Sequence, residues 1–261
     1  MKIVILRRLT QLTILSLFVL GNFYGVKILL GDFSASTLFG VHLADPFAVI
    51  QLLLAGFSLG ANAIFGAFIV AIFYALIAPR AFCGWVCPVN FLSELAFNLR
   101  AKFGSTNQKR VLNLSKNARY YLLAFSLIFS AIFGFAAFES VSQVGLLVRS
   151  IVFLQGSFFG IVLCILVFEI FIFSRGICSH ICPLGAFYAI ISKFSLIRIS
   201  HNFQNCTKCN KCKVVCPENQ VLDMIAKRND FVRNSECISC GRCIDVCDDD
   251  ALNFNIIRRK Q

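Results

Sequence analysis

Charged positions divide this chain into long uncharged runs joined by short polar connections. A helix needs about 20 apolar residues to cross the hydrocarbon of a bilayer. Four runs approach or exceed that length: 9–26 (continued by 28–30), 47–79, 120–138 and 150–168. The second is 33 residues long, so one helix there must tilt or leave the core at an end. Beyond residue 199 the texture changes to polar residues, short apolar runs and clustered cysteines, which predicts a small soluble domain. Just before it, 184–194 is amphipathic and is expected to lie at the membrane interface.

Two of the runs end alike. Arg80-Ala-Phe-Cys83-Gly-Trp-Val-Cys87-Pro88 and Arg175-Gly-Ile-Cys178-Ser-His-Ile-Cys182-Pro183 share the pattern R-x-x-C-x-x-x-C-P, 95 residues apart. Such an internal repeat predicts parallel repeats related by an axis along the membrane normal. The expected fold is membrane α-helical, four transmembrane helices as two parallel hairpin repeats, plus a small C-terminal α+β domain. The first hairpin takes 1–98, a basic linker 99–118, the second hairpin with its interfacial helix 119–199, and the soluble domain 200–261. Each hairpin also holds a small-xxx-small step, Gly56/Gly60 and Gly156/Gly160, of the kind that lets membrane helices approach closely.

Composition supports the bilayer. Apolar types make up 58% of the 261 residues and charged types 15%, where a soluble domain carries about 25% charged residues to solvate its surface. The net charge is +12. Basic residues gather before the first run (Lys2, Arg7, Arg8) and between the second and third (Arg80, Arg100, Lys102, Lys109, Arg110, Lys116, Arg119), whereas the other connections hold Lys27, Asp32, Asp45, Glu139 and Arg149. The positive-inside rule then places both termini of a multi-pass membrane protein in the cytoplasm. Arg7-Arg8 is read as the anchor of the first span rather than as a twin-arginine export signal, and no small-residue cleavage site follows it. No basic stripe or binding motif suggests nucleic acid.

Thirteen cysteines are too many for chance in a chain too large to be a disulfide-stapled miniprotein. Eight of them form two runs, Cys206-x2-Cys209-x2-Cys212-x3-Cys216-Pro217 and Cys237-x2-Cys240-x2-Cys243-x3-Cys247. In such runs three thiolates serve one 4Fe–4S cubane and the fourth reaches the other. That assigns Cys206, Cys209, Cys212 and Cys247 to one cluster, and Cys237, Cys240, Cys243 and Cys216 to a second. Zinc sites favour two separated pairs instead. The domain resembles a bacterial two-cluster ferredoxin, with Asp248 where a proline is expected after the last cysteine.

The C-x3-C-P motifs leave three readings open. Cysteines four apart share a helical face, and the proline marks a break. Cys83, Cys87, Cys178 and Cys182 are candidates for an additional thiolate-bound metal site, for redox dithiols, or for plain packing at helix ends. Cys164 stands alone and is given no role. Ionisable groups at membrane depth mark functional pathways or anchors. Glu169, His180 and Arg175 are therefore candidates for a quinol site, and Arg80 and Arg175 for interface anchors.

The span pattern, FCGWVCP at 82–88, RGICSHICP at 175–183 and the two cysteine runs together resemble the NapH family, over almost the whole chain. These are ferredoxin-type quinol dehydrogenase subunits of periplasmic nitrate reductase systems. The resemblance implies oxidation of menaquinol or ubiquinol from the quinol pool. Electrons would then pass to a periplasmic ferredoxin-type NapG-like partner and on to nitrate reductase. With the clusters in the cytoplasm, they need a route back across the bilayer, to which the four motif thiols could contribute one relay. An alternative is a membrane redox factor for metal-cofactor assembly or maturation of a respiratory enzyme. Only Met1 and Met224 occur, which argues against copper handling. A scaffold stapled by structural clusters is a third reading.

Overall fold

The computed structural model describes residues 2–25, 28–102, 115, 117–153, 158–172 and 177–257. The chain divides into two compact units. One comprises Met1–Thr10, Ile72–Val86 and Tyr188–Gln261, and the other Gln11–Ala71 and Cys87–Phe187.

In the second, apolar unit, the run 47–79 is not one helix. Pro46–Leu54 and Ala61–Leu76 are separate. The Asp45 carboxylate caps the first by accepting from Ala48 N–H at 3.3 Å, with Pro46 at the first helical position, where a missing N–H costs nothing. The helix stops at Gly56, which takes φ +84°. Phe57 N–H donates to Leu52 C=O and Gly56 N–H to Leu53 C=O, a Schellman closure. Gly56 is therefore a helix stop, and a Cβ built there or at Gly60 would meet nothing within 4 Å. The expected small-xxx-small contact is absent at this step. Gly160 is equally open, and Gly156 lies outside the described residues. Close approach is made instead by Gly66, where a Cβ would run into the His42 carbonyl.

The helix Lys2–Tyr24 ends at Gly25, φ +66°. Residues 28–30, expected to prolong the first membrane run, belong instead to a turn and a strand. Leu29–Gly31 pairs with Ala35–Leu38, which pairs with Val41–Ala44, all antiparallel. Asn22 ties strand to helix, donating to Gly31 C=O at 2.9 Å and accepting from Gly31 N–H at 3.2 Å. Phe39 and Gly40 both take positive φ in the second hairpin, as a two-residue type I′ turn requires.

Helix Ala118–Phe133 covers most of the third run and closes at Gly134, φ +68°. Gln143–Val152, capped by Ser142, already includes the start of the fourth run, which resumes as Phe158–Val167 and a π-helical turn, Phe168–Ile172. Helix Pro88–Lys102 packs against all three, and against a second π turn, Ile177–Ile181. Phe65, Phe68, Phe125, Ile128, Ile132 and Phe159 are each more than half exposed, a row of apolar side chains foreign to a soluble monomer. Among the described residues, Lys2–Tyr24 is the helix both long and apolar enough to cross a membrane alone; Ala61–Leu76, Ala118–Phe133, Gln143–Val152 and Phe158–Phe171 are apolar but shorter.

The first, cysteine-rich unit is built on a three-stranded sheet. Ile197–His201 lies between Asp230–Phe231 and Leu252–Ile256, antiparallel to both. Its core joins Ile199, Val221, Leu222, Met224, Ile225, Val232 and Leu252 with Cys212, Cys237 and Cys243. Residues 72–86 enter by main-chain bonds, Leu196 N–H to Leu76 C=O at 2.7 Å and Ile197 N–H to Ile77 C=O at 2.9 Å. The amphipathic segment forms Pro183–Ile191 and a 3-10 turn, Ser192–Phe194; Tyr188, Ala189 and Ser192 are buried, Ile190 and Phe194 exposed.

Candidate functional site

Each long cysteine run bends through left-handed residues on both sides of its middle cysteine. Lys208 and Asn210 take φ 61° and 58°, and Ser239 and Gly241 take 50° and 70°. Backbone of this kind forms the N–H-lined nests seen at iron–sulfur sites. Main-chain N–H groups of Lys213, Glu218 and Ser239 donate to the sulfurs of Cys212, Cys216 and Cys237. A short helix follows each bend, Lys211–Val215 and Arg242–Asp245.

The eight cysteines gather as two sets of four. Cys206, Cys209, Cys212 and Cys247 line one cavity, with His201 and Ile225. Cys212 feels the charge of Cys247, Cys206 and Cys209. In the other set Cys216 faces Cys240 and Cys237, and Cys243 faces Cys240, Cys237 and Cys216 first and Cys212 last. Burial, then the neighbouring thiols, pushes Cys216 and Cys243 well up from the ordinary 9.0, and Cys237 up to about 12. Such thiols become thiolates only against a compensating cation. Among the described residues no three Cys, His, Asp or Glu groups stand close enough to hold a single metal ion. Thiols spread round a cavity suit a cluster of several atoms. Donor chemistry, nests and grouping therefore fit iron–sulfur ligation.

Asp248, in the place of the expected proline, is exposed and pairs with Lys211 at 2.7 Å. Asp249 accepts from the Thr207 hydroxyl and N–H at 2.6 and 3.1 Å. Both aspartates lie at the exposed rim of the first set.

The first C-x3-C-P motif is seated on the loop of the second run. Arg80, 1% exposed, donates to Glu236 C=O at 3.2 Å and lies 3.6 Å from the Glu218 carboxylate and 3.8 Å from that of Glu236. Its N–H donates to the Ser192 hydroxyl. Trp85 donates to Ser239 C=O at 2.9 Å, Ser239 to Pro79 C=O at 2.8 Å, and a Cβ at Gly84 would run into Ile238 C=O. Arg80 is thus a buried ion-pair partner, not the interface anchor expected from its place at a span end.

In the apolar unit the second motif is a π turn closed by Cys182 N–H to Ile177 C=O at 2.8 Å, after which Pro183 opens a helix, as Pro88 does after Cys87. Glu169, 1% exposed, accepts from the Ser93 hydroxyl at 2.9 Å and from Ile177 N–H at 3.2 Å. Ser93 lies 3.8 Å from the Cys178 sulfur. His180 is buried on the same π turn as Cys178. Arg175 lies outside the described residues. Ser93 had no signal in the sequence: it is one of several polar residues on Pro88–Lys102, identifiable only once Glu169 lands beside it. Cys83 belongs to the cysteine-rich unit, and Cys87, Cys178 and Cys182 to the apolar one. Cys164 is exposed.

The chain matches the 4Fe-4S binding domain family twice, over residues 59–106 and 155–200, and the 4Fe-4S dicluster domain family over 198–248. It is 39% identical to the ferredoxin-type protein NapH of Haemophilus influenzae, covering 95% of this chain and 88% of that protein. Its identity to NapH of Escherichia coli is 37%, over 96% and 88%. The methylamine utilization ferredoxin-type protein MauN of Methylorubrum extorquens is 37% identical over 83% of this chain and 75% of its own. No solved structure matches. With two grouped sets of four thiols, and with relatives this similar along nearly its full length, the chain belongs to the NapH family of ferredoxin-type iron–sulfur electron-transfer proteins.

Proposed function

We propose that the chain oxidises menaquinol or ubiquinol in the membrane and passes the electrons to a periplasmic ferredoxin-type NapG-like protein that serves nitrate reductase. The observation that carries this reading is a buried carboxylate, Glu169, held within an apolar unit of a chain that also gathers two sets of four thiols. Cys206, Cys209, Cys212 and Cys247 would hold one 4Fe–4S cluster, and Cys237, Cys240, Cys243 and Cys216 the other; together they supply two one-electron acceptors.

A quinol gives up two electrons and two protons, and the protons need acceptors at membrane depth. Glu169 takes one at its carboxylate, with Ser93 fixing the carboxylate's orientation, and His180 and Arg175 complete the quinol site. Four spans in two hairpins, with cytoplasmic termini, suit the exposed phenylalanines and the basic cytoplasmic connections. The double match of one iron–sulfur family supports a metal role for Cys83, Cys87, Cys178 and Cys182. The nitrate reductase link rests on the two NapH relatives, 39% and 37% identical over 95% and 96% of the chain.

The test is a Glu169→Gln variant in lipid. Removing a general base costs roughly 10²–10⁴ in rate, so quinol-driven cluster reduction should slow by at least about 100-fold while dithionite still reduces both clusters. Unchanged reduction by quinol would remove Glu169 from the site.

A further inference from the structure

The two sets of thiols lie in unlike electrostatic surroundings. Around Cys216, Cys237, Cys240 and Cys243 stand five guanidinium groups drawn from four separate stretches of chain. Arg7, Arg8 and Arg242 all feel the charge of Cys240, and Arg80 and Arg198 that of Cys237. Arg7 is 0%, Arg80 1% and Arg198 4% exposed.

Each is placed by contacts of its own. The N–H groups of Ile3 and Val4 donate to the Asp245 carboxylate at 3.2 and 2.9 Å, and a Cβ at Gly241 would run into the Ile3 side chain. The start of the helix Lys2–Tyr24 is thereby seated on 241–245, which brings Arg7 and Arg8 in one turn later. Arg198 donates to the carbonyls of Lys193 (2.6 Å), Val232 (3.2 Å) and Arg233. Among the described residues Glu218 and Glu236 stand against Arg80 and Asp245 against Arg7, three carboxylates facing five guanidinium groups. The other set has an exposed rim where Lys211 meets Asp248 and Asp249, with Cys209 open to solvent. Charges there are mixed and screened by water.

We propose that Arg7, Arg8, Arg80, Arg198 and Arg242 form a cationic cage, buried at Arg7, Arg80 and Arg198 and half-buried at Arg8 and Arg242, that raises the reduction potential of the inner cluster, held by Cys216, Cys237, Cys240 and Cys243, above that of the outer one. Adding an electron to a cluster adds negative charge. Burial in low dielectric disfavours that charge, but it strengthens the attraction of every fixed guanidinium in the same degree. Five cations with a net surplus outweigh the single added charge. The inner cluster is then the one of the two that a weak reductant such as quinol reduces, and an electron shared by the pair rests there. Arg7-Arg8, an export-like or anchoring pair in sequence, acquires a redox role. This inference rests on the cluster ligation proposed above.

The experiment is an equilibrium redox titration of the full chain in lipid, followed by EPR. Signals are assigned with Cys209→Ser, which perturbs the outer cluster. Arg7→Gln and Arg80→Gln should each make reduction of the inner cluster about tenfold less favourable, about 59 mV for a one-electron couple, with the outer cluster unmoved. Arg7→Lys keeps the charge and should keep the parental potential even where the glutamine variant folds poorly. An inner potential that stays put in both glutamine variants, or that falls equally with lysine, would overturn the cage. A parent chain with no cubane signal would instead overturn the ligation beneath it, and iron measured in each sample separates the two failures.

Discussion

Arg80 shows how a residue's chemistry depends on what folds against it. At the end of an apolar run, an arginine is expected to reach for headgroups. Here it adopts a left-handed backbone (φ 44°) and buries its guanidinium between Glu218 and Glu236. Those partners are 138 and 156 positions away, beyond any local pattern. Breaking a buried pair leaves an uncompensated charge and costs about 3–5 kcal/mol. Arg80→Met should accordingly lower the temperature at which the visible cluster absorbance is lost, with a smaller loss in the double variant Arg80→Met/Glu218→Gln; equal losses would contradict the pairing. The eight cysteines were legible because their spacing repeats. Glu169 was legible because a carboxylate in an apolar run is conspicuous. Ser93 was not, since a hydroxyl on a helix carries no such contrast.

Elements were legible in kind but not in extent. The run 47–79 carried no charged residue to mark its break, which is made by the backbone at Gly56. Residues 28–30 are apolar enough to prolong a helix but form a turn and strand, because Gly25 ends the helix and Phe39-Gly40 turns the hairpin. The two R-x-x-C-x-x-x-C-P segments share a pattern yet fold as an α turn, Ala81–Trp85, and a π turn, Ile177–Ile181. Gly84 is where the first of them meets the Ile238 carbonyl. A backbone atom cannot yield as a side chain can, so Gly84→Ala should destabilise by about 1–3 kcal/mol, the range for overpacking. Gly60→Ala, in open space, should be neutral or slightly stabilising. Thermal loss of cluster absorbance and helical circular dichroism measure both, and equal behaviour would contradict the seating of Gly84.

At the scale of the molecule, an apolar unit carries a buried carboxylate and a cysteine-rich unit carries the thiols. Cys212, Cys237 and Cys243 sit within the same core as Leu222, Met224 and Ile225, so removing the clusters removes core. Oxidative cluster loss should expose 197–257 to protease while the helices of the apolar unit persist, and protection of that segment in iron-free protein would contradict it. The most direct test of the central claim is to mix anaerobic, oxidised protein in lipid with a menaquinol analogue and follow EPR. The account predicts a rapid cubane signal, in protein holding about eight irons per chain, that a quinol-site inhibitor abolishes. A protein fully loaded with iron that stays silent toward quinol, yet is reduced by dithionite, would contradict it.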